Sequence, residues 1–277
     1  CSCIVWGVLA GSFFGLGVAP DNPLSKVTLL NYLVEKKADY HYRQQDDVYQ
    51  YWQQKFPAVQ KAAGGKELLT IAVRIDGPKK NFEAWDIFQK NLLMEIALLI
   101  GALHISLSLL RYGRYNWPAF GWVLFIIGGY LYFPSKINAT SFLHFTGIIS
   151  KQMAALWGYY LLATGFAGAL LVAFIQKGWR GIAEITNMVS IFADILSYLR
   201  LYALGLAGMI MATTFNGMGV SLGLGIGFIV IIVGHFLNIV LSLMSGVIHG
   251  LRLNFIEWYH YSFHGDGKLF RPLKLFK

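Results

Sequence analysis

Arg200 is the residue whose position most needs a reason. It lies inside Met188–Phe215, a run long enough to cross a bilayer, whose one other charge is Asp194. An ionised side chain near mid-membrane costs from about 2.5 to more than 10 kcal/mol. A helix that keeps one turns it toward a water-filled cavity or a partner carboxylate. At helical spacing its neighbours are Ala193, Ser197, Ala203, Leu204, Ala207 and Gly208. Most are small, so another helix can approach closely. The expectation is a groove beside a buried positive charge, shaped to receive a passing helix in an ion-moving protein. The alternative is a static interface with Arg200 paired to Asp194. Those two stand six residues apart and do not share a face.

The second constellation is a stripe. His235, Asn238, Ser242, Ser245, His249 and Arg252 follow one another at steps of three and four residues along an otherwise apolar run. Hydroxyls, an amide and imidazoles along one face can hold a file of water or relay protons, and histidine titrates near neutral pH. The competing reading is a packing seam of interhelical hydrogen bonds. Glu184 and Glu257 stand near the ends of the last two apolar spans, where they would collect ions at an entrance or be solvated. Glu95 and His104 lie inside the second span, and a structural role is expected for both.

These residues must be positioned by helices in a membrane. Of 277 residues, 56% are hydrophobic and 13% charged, with a mean hydropathy of +0.52. The net charge of +9 does not point to nucleic acid, because the basic residues gather at span ends rather than in an aromatic-interleaved stripe. The two cysteines, Cys1 and Cys3, are badly placed for an internal disulfide. There is no phosphate loop, nucleophile elbow or metal-ligand spacing, so no cofactor is expected.

The expected architecture is all-α and polytopic, with six spans near Cys1–Ala19, Phe88–Leu110, Trp117–Phe133, Ala154–Ile175, Ala183–Phe215 and Ser221–Trp258. The last two exceed the roughly 20 residues a straight span needs, so they are expected to tilt or to extend past the hydrocarbon. The domain reading is a first membrane helix over 1–20, a polar loop domain over 21–86, a five-helix channel domain over 87–263 and a basic tail over 264–277. Within the loop domain, Asp47–Lys61 reads as helix, and Gly64-Gly65 and Asp76-Gly77-Pro78 read as turns. Arg111 and Arg114, then Lys177 and Arg180, then Lys268, Arg271, Lys274 and Lys277 fall on one side if the spans alternate. Positive loops mark the cytoplasm, which puts the 21–86 loop outside together with the sequon at Asn138.

Four stretches resemble one family. Leu196–Gly208 (LSYLRLYALGLAG) looks like the signature of the membrane subunit of V/A-type rotary ATPases, called subunit a in vacuolar enzymes and subunit I in many bacteria. Ile4–Gly15 and Leu99–Leu109 resemble its third and fourth membrane helices, and His249–Glu257 with Phe263–Pro272 resembles its closing helix and tail. The resemblance leaves out the 21–86 loop. It implies the last six of eight membrane helices, the initial arm and first two helices being absent here. The ALGLAG wording is similar to the bacterial form, which implies a bacterial inner membrane.

The resemblance further implies a stator beside a rotating ring of proteolipid subunits, each carrying a carboxylate. The missing arm would join the peripheral stalk and the soluble ATPase subunits. Arg200 matches the family's essential arginine, partner of the ring carboxylate and barrier to leakage, and Arg252 matches its second arginine. Ser242 stands where eukaryotic relatives have an acid. Ion half-channels lined by the stripe would couple H⁺ or Na⁺ movement to ATP synthesis or hydrolysis. A secondary transporter binding an anionic substrate at Arg200 is the alternative, although the chain shows no internal repeat.

Overall fold

The computed structural model describes residues 2–17, 28–76, 79–137, 139–179, 181 and 185–259. Eleven α-helices account for most of them, with two small β-hairpins. Among the described residues five helical segments are long and apolar enough to cross a membrane. They are Glu83–Tyr112 (α5), Pro118–Lys136 (α6), Lys151–Lys177 (α8), Ile185–Ser221 and Leu224–Trp258, with the one-turn helix Phe142–Phe145 (α7) between α6 and α8. The chain is therefore a multi-pass membrane protein of all-α class, with five such segments where the sequence suggested six.

The missing segment is the first. Its helix, α1 (Ser2–Ala10), does not continue past Ala10. Gly11 then takes φ +64° and Gly15 φ +74°, and the chain reverses through a hairpin of Ser12–Phe13 (β1) and Leu16–Gly17 (β2). A Cβ on Gly11 would lie 2.8 Å from the Thr28 side chain, and one on Gly15 would lie 2.8 Å from the Ala212 backbone. Glycine is required twice over, by backbone angle and by space. An apolar run interrupted by two such glycines cannot continue as helix.

The polar segment that follows is folded, not merely solvated. α2 (Leu29–Gln44), α3 (Asp47–Lys55), a 3₁₀ turn (Pro57–Lys61) and α4 (Gly65–Ile71) lead to a hairpin of Val73–Asp76 (β3) and Lys79–Phe82 (β4). Val34, Trp52, Val59, Leu68 and Leu69 are buried against Trp85, Phe88 and Leu92, which the first turns of α5 present at helical spacing. Burying side chains of this size contributes about 1.5–3 kcal/mol each. Gln45 in the left-handed region ends α2, and Asp46 then caps α3 by accepting from Tyr49 N–H at 3.2 Å. Partial burial pushes the Asp46 carboxyl up, but the His41 contact at 2.7 Å, the Tyr49 N–H and Lys151 outweigh it and hold it below its ordinary value.

Two antiparallel pairs and α5 make the membrane part. In α6 and α8, Gly128 meets the Leu161–Leu162 backbone, Gly158 meets Leu131–Tyr132, and Gly165 meets Leu124–Phe125. Small residues let the two backbones touch. A second core joins Ala102, Ile105 and Leu109 of α5 to Trp122 and Ile126 of α6 and to Ile191, Tyr198 and Leu253. α9 (Ile185–Ser197) and α10 (Leu199–Ser221) run on with only Tyr198 between them. Together they cover 37 residues, about 55 Å of helix. α11 (Leu224–Arg252) folds back along α10 and ends in a π turn, Leu253–Trp258.

Candidate functional site

The contacts between α10 and α11 define the register of the site. Gly219 lies on Gly227, Phe215 on Gly234, and Gly208 on Asn238 and Ser242. Continuing that register puts Arg200 level with His249, about one helical turn from Arg252. Two arginines far apart in sequence thus come to nearly one height.

Arg200 is half-buried, and no carboxylate among the described residues lies within ion-pair distance of it. Asp194 has an interaction of its own, and no ion pair joins it to Arg200 among the described residues. At about 100° per residue, Arg200 points roughly opposite to Tyr198 and about 100° away from the face that meets α11. Ala193, Ala203 and Ala207 on its side are exposed, while Ser197, Leu204 and Gly208 are partly so. The static reading, in which a resident acid holds Arg200 in a closed interface, finds no support among these residues.

The stripe is divided in use. His235 Nε2 meets Asn216 Oδ1 at 2.9 Å, and Asn216 Nδ2 donates to the Phe14 carbonyl at 2.8 Å. Phe14 packs edge-on against His235, with ring centroids 5.4 Å apart. Asn238 Nδ2 donates to the Gly208 carbonyl at 3.0 Å, and Ser242 Oγ to Asn238 Oδ1 at 3.4 Å. This half of the stripe stitches α11 to α10 and to the β1–β2 turn. Toward Arg252 the hydrogen bonds to α10 stop: Ser245 and His249 are half-buried, as His235 and Asn238 are, but His249 Nδ1 is enclosed without a hydrogen-bond partner.

Arg252 and Glu257 meet beyond it. Arg252 Nε lies 3.9 Å from Glu257 Oε1, and the side chains are 46% and 1% exposed. Glu257 is therefore not solvated, as a place near a helix end had allowed, because the π turn folds it inward. Residues five apart on an α-helix diverge by about 140°. The wider π turn brings them onto one side. Trp258 anchors that turn: its ring stacks on His104 of α5 at 4.5 Å, and its carbonyl accepts from Ser108 Oγ at 3.0 Å. His104 also bonds to the Tyr198 hydroxyl. Of the two groups in the second span, His104 joins this cluster, whereas Glu95 binds Lys37 of α2 at 2.7 Å. Glu184 lies outside the described residues, as do Arg180, Asn138 and the tail after Tyr259.

Sequence reasoning passed over Tyr198, Ser108 and Trp258. Tyr198 sits inside the SYLRL motif, yet its direction, away from Arg200 and onto α5, follows only from packing.

Comparison with known proteins finds relatives over almost the whole chain. The chain is 42% identical over 273 residues to V-type ATP synthase subunit I of Chlamydia pneumoniae, a match covering 98% of this chain and 41% of that protein. The same subunit of Chlamydia trachomatis is 43% identical over 274 residues, covering 98% and 42%. This chain is homologous to V-type ATP synthase subunit I. It is also 30% identical over 138 residues to A-type ATP synthase subunit I of Archaeoglobus fulgidus, covering 46% of this chain. The chain spans about two-fifths of the length of the chlamydial subunits I that it matches. Matches over 98% of the chain take in the polar segment as well as the membrane helices. No family model and no solved structure matches the chain.

Proposed function

We propose that this chain is the membrane part of a rotary ATPase stator, in which Arg200 faces a passing ring of proteolipid subunits. The observation that carries this reading is a guanidinium inside a spanning helix, on an exposed face of small residues, with no carboxylate of its own among the described residues. Such a charge is costly unless something acidic comes to it. A ring carboxylate supplies the acid. At about 4 Å, opposite charges interact by roughly 4 kcal/mol at an effective dielectric near 20. That favours the ionised carboxylate strongly enough to expel its ion, and still lets torque or ion-motive force pull it away. A cation trying to pass straight through meets the fixed charge of Arg200, so rotation is obligatory for transport.

The end of the stripe that makes no hydrogen bond to α10, Ser245 and His249, lies level with Arg200 and is the segment suited to carry ions to it. His235, Asn238 and Ser242 hold the two helices together at the far end. In this reading the polar segment is extracytoplasmic, and Arg252 lies toward the cytoplasm. The ring, the peripheral stalk and the soluble ATPase subunits are the partners.

The test is Arg200→Ala in the assembled complex, followed as ATP-driven ion uptake into vesicles with sodium omitted or supplied. Coupled uptake is expected to vanish while the complex still assembles and co-purifies with its ring. Wild-type uptake by that variant would refute the reading.

A further inference from the structure

We propose that Glu257 is a positioning residue whose resident carboxylate compensates Arg252, so that Arg200 and not Arg252 captures the ring acid. The inference rests on the stator reading and deepens it. Two cations about one helical turn apart would otherwise offer a passing carboxylate two neighbouring wells. A ring subunit caught between them would dwell at the wrong one.

The structure distinguishes the two arginines by their partners. Arg200 has no acid of its own among the described residues, whereas Arg252 has Glu257 at 3.9 Å. Glu257 is 1% exposed, and its Oε2 is enclosed with no hydrogen-bond partner, so its carboxylate has little other than Arg252 to meet. An acid buried this far is held by geometry. The π turn carries it, Leu253 is buried beneath it, and Trp258 is pinned by the His104 stack and by Ser108 Oγ. π turns are rare and are frequent at functional sites. The groups that act on this carboxylate are Arg252 on α11 and Tyr198 between α9 and α10, and Tyr198 in turn bonds to His104 on α5. Arg252 brings the permanent positive charge among them. The 3.9 Å separation is long for a charge-assisted hydrogen bond. The contact neutralises without clamping, and the guanidinium keeps its exposed side.

Neutralising Glu257 has a signed consequence. Arg252 then stands uncompensated and adds to Arg200 in holding the ring carboxylate ionised. Reloading that carboxylate needs more of the carried ion. For a proton-driven complex, Glu257→Gln is expected to shift the pH profile of uptake toward acid by about one unit. For a sodium-driven complex, half-maximal uptake moves to about tenfold higher sodium. Arg252→Gln should remove that shift when combined with Glu257→Gln, because the residue acts through Arg252.

The experiment uses the assembled ATPase in vesicles, with uptake normalised to the amount of complex carrying its ring. A Glu257→Gln complex with an unmoved profile overturns the inference, as does a shift that persists without Arg252. Should Glu257→Gln fail to assemble, Glu257→Asp draws the carboxylate back by one methylene. It must then give a smaller shift of the same sign, and an unmoved profile overturns the idea. Arg200→Ala is run alongside: uptake surviving there sinks the stator reading itself, whatever Glu257 does.

Discussion

Lys37 and Glu95 offer the sharpest test of how the polar segment is joined to the membrane helices. Lys37 on α2 reaches across to Glu95, three turns into α5, at 2.7 Å, with side chains 3% and 12% exposed. Thr140 adds a longer hydrogen bond to the same oxygen at 3.4 Å. At that burial the surface-pair figure of about 0–1 kcal/mol does not apply. Removing one partner strands a charge, which typically costs about 3–5 kcal/mol. Lys37→Met is therefore expected to lower the free energy of opening α2 away from α5 by that amount, a fall of about two to three and a half decades in amide protection. Replacing both charges with apolar residues of similar volume should recover most of it, because the penalty belongs to the unpaired ion and not to the missing pair. The assay is hydrogen exchange of α2 amides such as Val34 and Ala38 in the reconstituted protein. A loss in Lys37→Met below about 0.5 kcal/mol would show the pair to be solvated and would refute the reasoning.

Four further outcomes are expected. Asp46→Ala removes the cap of α3 and should cost that segment about 1 kcal/mol, measurable by limited proteolysis, whereas Asp46→Asn keeps the cap and should lose only the part that depends on the carboxyl's charge. The same carboxyl predicts an acid dependence. An unfolded aspartate takes up its proton near about pH 3.9, before the folded one whose affinity is depressed. The stabilisation is thus present above that pH and is lost as pH falls toward the lower folded value. Gly227→Ala drives a methyl into the Gly219 carbonyl, so thermal stability in detergent should fall by about 1–3 kcal/mol. Gly225→Ala faces open space and should be neutral. His249→Leu should lower coupled uptake several-fold with assembly kept; unchanged uptake at every pH would reduce the stripe to a packing seam.

Much of the fold was legible because a membrane imposes coarse rules. Apolar runs of sufficient length became α5, α6, α8, α9–α10 and α11, since a chain in hydrocarbon must satisfy its backbone internally. Arg200 was legible by the same rule, as a charge where charges are costly. The first run is not helical past Ala10, because composition registers Ala, Gly and Phe as apolar without registering that Gly11 and Gly15 must turn.

Residue type and spacing alone determined that the chain belongs in a bilayer, that Arg200 is its anomaly, and that a polar stripe runs along its last helix. Spacing assigns a residue to a face but does not say what that face meets. Tertiary structure alone decided that the stripe's first half bonds to α10, that Lys37 answers Glu95, and that Arg252 has a fixed acid while Arg200 has none among the described residues. Each depends on contacts between residues distant in sequence, or, for Glu257, on one widened turn that α-helical periodicity cannot foresee.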